Sequence, residues 1–256
     1  MSDVINQPFK DYRSSVAEAL DALSAADRLP GDGLIIIKPN LTNTSPPPVT
    51  TPVECAEAVA LYCREHTGAE IAIGEGCGSG RTRDTFEKNG YADLAKRLDL
   101  RLIDFNEAPA VLLKRSDTIQ LKEFHLPEVA RDAFIISLPI LKDHSMTTTT
   151  IAMKNMFGLA PAPFYKGSWN KSKLHSPDTH ASVVDVCLYK RPDLCVVDAV
   201  VALTGSHLSG TPKRLDAILA SFDPVAIDAE GTALLGHDPD AIKYIRLGRE
   251  KLNGTA

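Results

Sequence analysis

Leu34-Ile-Ile-Ile-Lys-Pro-Asn40 joins a short continuous apolar run to a polar end that contains proline. Such a run is typical of a strand buried on both faces of a parallel sheet, and proline is expected to end the strand because it has no N–H. Further runs of this kind lie at residues 70–73, 101–105, 133–138, 194–197 and 216–222. Helical stretches separate them, so the sequence predicts an α/β fold with a mainly parallel sheet, covered by helices on both faces in Rossmann-like layers.

Capping residues mark several helix boundaries. Thr51-Pro-Val-Glu54 predicts a capping box with proline at the first helical position, and the helix that it opens is expected to end at about His66. Asp223-Pro224 predicts the start of a helix that ends near Gly236. A further helix is expected at about 148–157. These helices would connect neighbouring parallel strands, which cannot be joined by a tight turn.

The strand–helix rhythm breaks near residues 106–118. The 256 residues are predicted to form a single domain, 1–256, within which 1–110 and 111–256 are candidate subdomains. A lid-like loop is expected at 159–177, where glycine, proline and aromatic residues are frequent.

Composition and charge argue against several classes of protein. A net charge of -5 argues against nucleic acid as a partner, because phosphate binding needs a basic face. No apolar run approaches the roughly 20 residues that span a bilayer, and the first residues do not resemble a signal peptide, so we expect a cytoplasmic protein with no membrane partner. A homo-oligomer is compatible with the sequence. Five cysteines with no Cys-x-x-Cys pair argue against a disulfide framework, a zinc ribbon or an iron–sulfur cluster.

Polar side chains collect directly after the predicted strands. In open α/β sheets, ligands bind beyond the carboxyl ends of the strands, where these side chains would meet. The residues concerned are Lys38, Asn40, Glu75, Lys142, His144, Asp198 and Asp223. Strand ends are polar in most proteins, so the pattern is equally compatible with an ordinary surface. If the residues face one pocket, Lys38, Asn40 and Lys142 are expected to bind a small-molecule substrate.

The stretch 138–158 places charged side chains among apolar ones. His144 and Lys154 form the best pair for proton transfer, since histidine titrates near neutral pH and a lysine in an apolar setting can act as a base or as a carbonyl-trapping amine. Two other interpretations of Lys154 remain: it binds an anion as a permanent cation, or it extends to the surface. Asn155 and Thr148 are expected to bind substrate, although the run of four threonines could equally cap a helix.

The turn Gly74-Glu-Gly-Cys-Gly-Ser-Gly-Arg-Thr82 follows a strand and precedes a helix, the usual setting of a phosphate-binding loop. It matches neither the dinucleotide fingerprint nor the P-loop pattern, so a tight turn without a ligand is the simpler interpretation. Arg81 would strengthen anion binding there. Glu75 would oppose it, unless Glu75 acts as a catalytic base or binds a metal. Cys77 is a weaker candidate for a nucleophile.

Two histidines lie in or beside the predicted loop. His175 and His180 could ligate a divalent metal together with Asp198 or Glu75. Their spacing is not a strong metal-binding pattern, so the choice between no cofactor and a divalent metal stays open. Three lysines of the same segment would attract an acidic substrate: Lys166, Lys171 and Lys173.

Eight short motifs are spread over nearly the whole chain. They are Ile37-Lys-Pro-Asn-Leu-Thr42, Thr50-Thr-Pro-Val53, Ile73-Gly-Glu-Gly76, Phe86 to Tyr91, Leu138-Pro-Ile-Leu-Lys-Asp-His144, Met153-Lys-Asn-Met-Phe-Gly158, Val197-Asp-Ala199 and Ala220-Ser-Phe-Asp-Pro-Val-Ala-Ile-Asp228. Together they resemble the domain-of-unknown-function 362 family. Many members of that family resemble redox proteins because they also carry a cysteine-rich ferredoxin segment. This chain lacks such a segment, which argues against an electron-transfer role.

The order of elements is also similar to that of the lactate racemase family. In that family a histidine, a lysine and a second histidine follow the glycine-containing turn, and here His144, Lys154 and either His175 or His180 occupy those places. The resemblance implies that these positions handle proton or hydride transfer. Glu75-Gly-Cys77 replaces a glycine-threonine-histidine turn of that family. We therefore carry over the catalytic positions and not the family's lysine-linked nickel cofactor.

The sequence thus predicts an enzyme that acts on a small anionic metabolite, most simply a carboxylate, by proton transfer. Isomerisation, elimination and cyclisation are the reactions that such chemistry allows. Two alternatives stay open. One is a metal-dependent oxidoreductase, and the other is a protein that binds or assembles without catalysis.

Overall fold

The computed structural model describes residues 4–252, in which strands and helices alternate along most of the chain. The strands are β1 (Ile5–Pro8), β2 (Leu34–Pro39), β3 (Glu70–Glu75), β4 (Arg101–Asp104), β5 (Ala110–Lys114), β6 (Glu123–Pro127), β7 (Phe134–Leu138), β8 (Ile140–His144), β9 (Thr148–Thr150), β10 (Leu194–Thr204) and β11 (Thr211–Ser221). The α-helices are α1 (Tyr12–Ala22), α2 (Val53–His66), α3 (Thr82–Lys88), α4 (Tyr91–Arg97), α5 (Glu128–Arg131), α6 (Ala152–Asn155), α7 (Ala162–Tyr165), α8 (Thr179–Tyr189), α9 (Pro224–Leu235) and α10 (Lys243–Leu252). Short 3-10 segments lie at Ala25–Arg28, Met156–Leu159, Ser172–His175 and Pro239–Ala241.

One large sheet organises these elements. Its strands run in the order β1-β11-β10-β7-β2-β3-β4, and β8 and β9 extend it beside β10. The strands from β10 to β4 are mutually parallel. At one edge, β11 pairs antiparallel with β10, and β1 pairs antiparallel with β11. The predicted α/β fold with a mainly parallel sheet is confirmed.

Helices cover both faces of the sheet because successive strand residues point to opposite sides. In β2, Ile35 and Ile37 belong to a buried cluster with α1, α2 and α4. Ile36, between them, belongs to a second buried cluster with α8 and α10. All three side chains are fully buried, and burying each contributes roughly 1.5–3 kcal/mol. The apolar run of β2 is therefore continuous because both of its faces are in the core.

The prediction of a helix at 148–157 is wrong for the first part of that segment. Residues Thr148–Thr150 form β9, which pairs antiparallel with β8 so that Thr150 lies opposite Lys142. Only Ala152–Asn155 is α-helical, and a 3-10 turn follows it. Threonine is β-branched and favours strands, and here a neighbouring strand is available to pair with the threonine run.

The prediction that a strand ends at Asp198 is also wrong. β10 continues to Thr204 and pairs with β11 along most of its length, which makes a long antiparallel hairpin. Ala199-Val-Val-Ala-Leu203 continues the apolar run after this single charged residue. The charged residue is accommodated inside the sheet because the Tyr12 hydroxyl donates a hydrogen bond of 2.8 Å to its carboxylate.

The predicted capping box at Thr51 does not form, although α2 ends at His66 as predicted. The helix begins at Val53 without a side-chain cap. Thr51 Oγ1 instead accepts a hydrogen bond from the Asn40 N–H and donates one to the Leu138 carbonyl, both at 2.9 Å. The hydroxyl therefore links the segments that follow β2 and β7, and it is not free to cap a helix.

Three predicted boundaries agree with the structure. Asp223 accepts hydrogen bonds from the N–H groups of Val225 and Ala226, and Gly236 ends α9 in the left-handed conformation that glycine adopts freely. The ladder of β2 ends at Pro39. These signals are local, since each depends on backbone donors within a few residues.

The break in rhythm near residues 106–118 contains β5, which pairs with β6 in a separate two-stranded sheet. Phe124 of β6 packs in the same buried cluster as Ile36 of the main sheet. Asp185 of α8 accepts hydrogen bonds from the backbone N–H groups of residues 119–121. The hairpin thus packs on the main core, and the division of the chain into subdomains stays a prediction.

Candidate functional site

A cavity of about 450 Å³ opens at the carboxyl ends of β2, β3 and β8. This is where open α/β sheets generally bind ligands. The predicted site residues that line it are Asn40, Glu75, Lys142, His144, Lys154, Asn155 and His175. The volume lies within the range of about 300–1,000 Å³ that is typical of sites for small organic ligands.

A buried ion pair lies beneath the cavity. The Lys38 ammonium contacts the Glu75 carboxylate at 3.0 Å, and both side chains are buried. Lys38 also donates to the Pro39 carbonyl and to Asn155 Oδ1, each at 3.1 Å. An ammonium has three donors, so all are used. The sequence predicts that Lys38 binds a ligand. In the structure its charge balances that of Glu75, and Lys38 does not border the cavity.

The Glu75 carboxylate is saturated in the same way. Besides Lys38, it accepts hydrogen bonds from the N–H groups of Leu41 at 3.0 Å and Gly76 at 2.8 Å. Gly158 passes close to the pair: a Cβ there would overlap Glu75 Oε1 and lie 2.6 Å from Lys38 Nζ. Glu75 would have to lose these contacts to act as the catalytic base that the sequence predicts.

Lys142 of β8 reaches the cavity beside Asn40. Its ammonium donates to Asn40 Oδ1 and to the Val49 carbonyl, both at 2.7 Å, so one donor remains for a ligand. Burial lowers the pKa of Lys142 to about 7, although the charge of Glu75 opposes the shift. An anion in the cavity would favour the charged form.

Lys154 of α6 has a different environment. Its side chain is only 7% exposed, and its ammonium lies 3.9 Å from the centre of the Phe157 ring. No residue among 4–252 accepts a hydrogen bond from it, so all of its donors are available to a ligand. Burial, followed by the charge of Lys142, lowers the pKa of Lys154 to about 7. Such an amine can accept or donate a proton near neutral pH.

Asp228 of α9 fixes the start of α6. Its carboxyl group accepts hydrogen bonds from the N–H of Ala152 at 2.8 Å and from that of the next residue. Burial raises the pKa of Asp228 to about 8. Ser137 donates to the Ala152 carbonyl at 3.0 Å and accepts from Asn155 Nδ2 at 3.1 Å. These contacts hold the short helix, and with it Lys154, against the sheet.

The loop 159–177 supplies a third buried lysine to the cavity. Lys171 donates to Asn106 Oδ1 at 2.5 Å and to the Ala160 carbonyl, which leaves one donor. Burial lowers the pKa of Lys171 to about 7, and the charge of Glu75 opposes the shift. Of the loop lysines that the sequence offers for attracting an acidic substrate, this is the one that lines the cavity.

The glycine-rich turn of residues 74–82 is closed by hydrogen bonds within the protein. Asn170 Nδ2 donates to the carbonyls of Cys77 at 3.0 Å and Gly80 at 3.1 Å. The Cys77 N–H donates to Thr82 Oγ1 at 3.3 Å, so it is not presented to an anion. Burial raises the pKa of the Cys77 thiol, which disfavours the thiolate that a nucleophile requires.

Three histidines line the cavity: His144, His175 and His207. The rings of His144 and His207 stack with centres 4.2 Å apart, and the His175 ring lies 6.3 Å from that of His144. Burial, and then the nearby lysines, lower the pKa of His144 to about 2. The same causes lower the pKa of His175 and of His207 to about 4. All three rings are therefore neutral at pH 7.

Backbone contacts assign the tautomers of two of these rings. His144 Nδ1 accepts a hydrogen bond of 3.1 Å from the Met146 N–H, so the neutral ring carries its proton on Nε2. His175 Nδ1 lies 3.0 Å from the Lys171 carbonyl and must donate to it, which leaves a lone pair on Nε2. At Nε2, the ring nitrogen without a backbone contact, His144 is thus a donor and His175 an acceptor.

The predicted metal ligands are not brought together. His180 Nδ1 accepts a hydrogen bond from the Tyr244 N–H, whereas Asp198 pairs with Tyr12, and neither side chain lines the cavity that contains His175. Among residues 4–252, no group of three or more His, Cys, Asp or Glu side chains is arranged to hold a metal ion.

Two predicted substrate-binding residues also lie outside the cavity. Arg81 is exposed, pairs with Asp84 at 2.8 Å and borders a separate cavity of about 360 Å³. Thr148 is the exposed first residue of β9 and takes a left-handed φ of 65°. Thr150 lines the main cavity instead, and its buried Oγ1 has no hydrogen-bond partner in the described part of the chain.

His207 is a cavity residue that the sequence does not reveal. It lies in the turn Gly205-Ser-His-Leu-Ser-Gly210 between β10 and β11, which also contributes Leu208 and is far in sequence from the rest of the cavity lining. Asp143 accepts a hydrogen bond of 2.6 Å from the Gly205 N–H and contacts His237 Nε2 at 2.8 Å, which holds the turn beside β8. The useful signal would have been the apolar run after Asp198, because a longer β10 carries this turn to the cavity.

The fold and the cavity define an α/β protein with a lysine-lined cavity at the carboxyl ends of parallel strands. The chain belongs to a family described as a domain of unknown function (DUF362), whose model matches residues 35–233. A thylakoid-associated protein of Synechocystis sp. is 31% identical to this chain over 237 residues, which cover 89% of this chain and 70% of that protein. No solved structure matches the chain significantly. Among the described residues, no helix combines the length and the apolar character needed to cross a bilayer.

Proposed function

We propose that the protein is an enzyme that binds a small anionic metabolite, a carboxylate, and transfers protons on it, giving isomerisation, elimination or cyclisation. One observation carries the proposal. Three buried lysines line one cavity: Lys142, Lys154 and Lys171. Glu75, the carboxylate that lines it among the described residues, is already paired with Lys38. An anionic ligand would supply the negative charge that the lysines lack.

The energetics of the lysines support this proposal. An unpaired charge in a protein interior costs several kcal/mol, so a buried lysine without a counter-ion tends to lose its proton. Burial accordingly lowers the pKa of each of the three lysines to about 7. A carboxylate within about 4–6 Å would raise those pKa values again. Binding of the anion and protonation of the lysines are therefore coupled.

Lys154 and the cavity histidines are the proposed proton carriers. Near pH 7 the Lys154 amine is present in both protonation states, so it can act as acid or base. The neutral His144 carries a proton on Nε2 that can polarise a substrate oxygen, and His175 Nε2 has a lone pair that can accept a proton. Lys142 and Lys171, each with one free donor, would hold the carboxylate.

Native mass spectrometry of the purified protein is the first test, because a bound metabolite would be seen by its mass. Turnover of that metabolite is then compared between the wild type, Lys154→Met and a control, Lys96→Met, whose side chain is exposed on α4. We expect loss of turnover in Lys154→Met alone. Full activity in that variant would rule out the mechanism.

The same measurements separate catalysis from binding without catalysis. A protein that only binds would return the metabolite unchanged at every concentration and time. The metal-dependent alternative predicts a stoichiometric transition metal after purification without chelators, which elemental analysis detects.

We also propose a cytoplasmic location. The support comes from Cys55, Cys63, Cys77, Cys187 and Cys195, all of which are free and buried, as is usual where thiols stay reduced. The Synechocystis relative is described as thylakoid-associated, so cell fractionation is the direct test. Recovery mainly in a membrane fraction would contradict the proposal.

A further inference from the structure

The mouth of the cavity differs chemically from its lysine-lined interior. Met146, Trp169 and Leu208 line the cavity with exposed fractions of 46%, 44% and 44%. In the part of the chain that the structure describes, the other exposed large hydrophobic side chains are Leu112 and Phe164, each 40% exposed. More than half of the exposed large apolar side chains in that part thus surround a single opening.

Three separate segments bring these side chains together. Met146 lies in the turn between β8 and β9, Trp169 in the loop 159–177, and Leu208 in the turn between β10 and β11. Isolated exposed apolar residues are ordinary, but their convergence on one opening is typical of a binding surface. Because three different segments contribute these exposed side chains, the packing of any one segment does not explain why they cluster.

Flat aromatic surfaces also line the cavity. The His144 and His207 rings are stacked at 4.2 Å, and the Trp169 ring lies edge-on to His175 with centres 5.6 Å apart. Since burial keeps these imidazoles neutral, they present uncharged π faces and not cations. Such faces pack well against a planar apolar group.

We infer that the ligand is an amphiphilic anion, with its carboxylate at the lysines and a planar apolar group of phenyl size between the mouth side chains. This inference rests on the proposed function and names its substrate class. Charge complementarity fixes the orientation, because a carboxylate at the apolar mouth would leave the lysines without a counter-ion. The cavity volume of about 450 Å³ accommodates a ligand with both parts.

Binding of three matched probes tests the inference. They are 3-phenylpropionate, which has both parts, propionate, which lacks the ring, and 3-phenylpropanamide, which lacks the charge. Trp169 is the one tryptophan of the chain, so its fluorescence reports directly on the mouth. Calorimetry measures the same affinities independently. We expect 3-phenylpropionate to bind at least tenfold more tightly than either of the other probes.

Variants of the mouth locate the apolar part. The double variant Met146→Ser, Leu208→Ser keeps the fluorophore and should weaken 3-phenylpropionate by about tenfold while leaving propionate unchanged. Leu112→Ser is the matched control, because Leu112 is 40% exposed on β5 and does not line the cavity. It should bind all three probes as the wild type does.

Other outcomes would overturn either the amphiphilic ligand alone or the anion site as well. Equal affinity for propionate and 3-phenylpropionate, or no effect of the mouth variant, would disprove the amphiphilic ligand and leave the anion site intact. If neither anion binds more tightly than the neutral amide, the anion site itself is disproved, and the proposed function with it.

Discussion

Lys38 and Lys154 are two lysines of one buried region with opposite environments. Lys38 donates to three acceptors, one of them the Glu75 carboxylate. Lys154 has no acceptor among the described residues and faces a ring and a cavity. Lys38 does not border the cavity, whereas Lys154 lines it. Burial alone therefore does not distinguish these two lysines, whereas the count of satisfied donors does.

Glu75→Gln should produce the largest loss of stability. It removes the counter-ion of the buried Lys38 ammonium, and breaking a buried pair in this way typically costs about 3–5 kcal/mol. Urea unfolding measures the loss. Glu70→Gln is the control, since its pair with Arg101 is exposed and should matter by less than about 1 kcal/mol. Equal effects of the two changes would show that Lys38 is not held by its partner.

Gly158→Ala should cost about 1–3 kcal/mol, the usual range for overpacking. The added methyl group would overlap Glu75 Oε1 and push on the Lys38 chain. Gly31→Ala provides a control, because a Cβ at that position meets nothing within 4 Å. Thermal unfolding of the two variants compares them, and an unchanged melting temperature for Gly158→Ala would contradict the close contact.

Lys154→Met should leave the free energy of unfolding unchanged or raise it at pH 7, in contrast to the changes around Lys38. The folded pKa of Lys154 is about 7, below the ordinary 10.5, so between these pH values the unfolded chain binds more protons and wild-type stability rises with pH. The variant lacks this contribution. The stability advantage of the variant over the wild type should therefore shrink between pH 7 and pH 10. A variant that is less stable than the wild type at pH 7 would contradict the expected difference from the changes around Lys38.

Binding of an anion should be accompanied by uptake of protons from the solution. Its energetic effect is expected to be the smallest of the four predictions. A bound carboxylate raises the lysine pKa values from about 7, so at pH 7.5 the complex holds more protons than the free protein. A rise of one unit at one lysine strengthens binding by at most about tenfold as the pH falls through 7. Calorimetry of 3-phenylpropionate in two buffers of different ionisation enthalpy gives the proton count. Proton release would contradict the expectation.

The sequence predicts the parallel sheet well because continuous apolar runs such as Leu34-Ile-Ile-Ile37 report burial on two faces directly. It fails at 148–150 and beyond Asp198 for a common reason. Both segments are strands only because a partner strand, β8 or β11, lies beside them. Such pairing depends on the partner strand, and the periodicity of the segment itself does not show it.

The cavity residues divide in a similar way. Asn40 and Glu75 lie close to the ends of predicted strands, and Lys142 and His144 come a few residues after another, so the strand-end rule finds them. Thr150 replaces the predicted Thr148 because Thr150 is buried opposite Lys142, whereas Thr148 is exposed at the start of β9. Lys38 shows a different limit: its position was correct, but the hydrogen bonds that remove it from ligand binding involve residues more than 30 positions away.

Because the Lys154 ammonium lines the cavity with no acceptor among the described residues, an anion that binds there should stabilise the folded protein measurably. Any compound that binds the folded protein raises its stability by RT ln(1 + [L]/Kd), about 2.7 kcal/mol at a hundredfold excess over Kd. A melting-temperature screen over a library of organic acids can therefore rank ligands without any assay of turnover. The Lys154→Met variant, screened in parallel, separates the compounds that reach this amine from those that bind elsewhere.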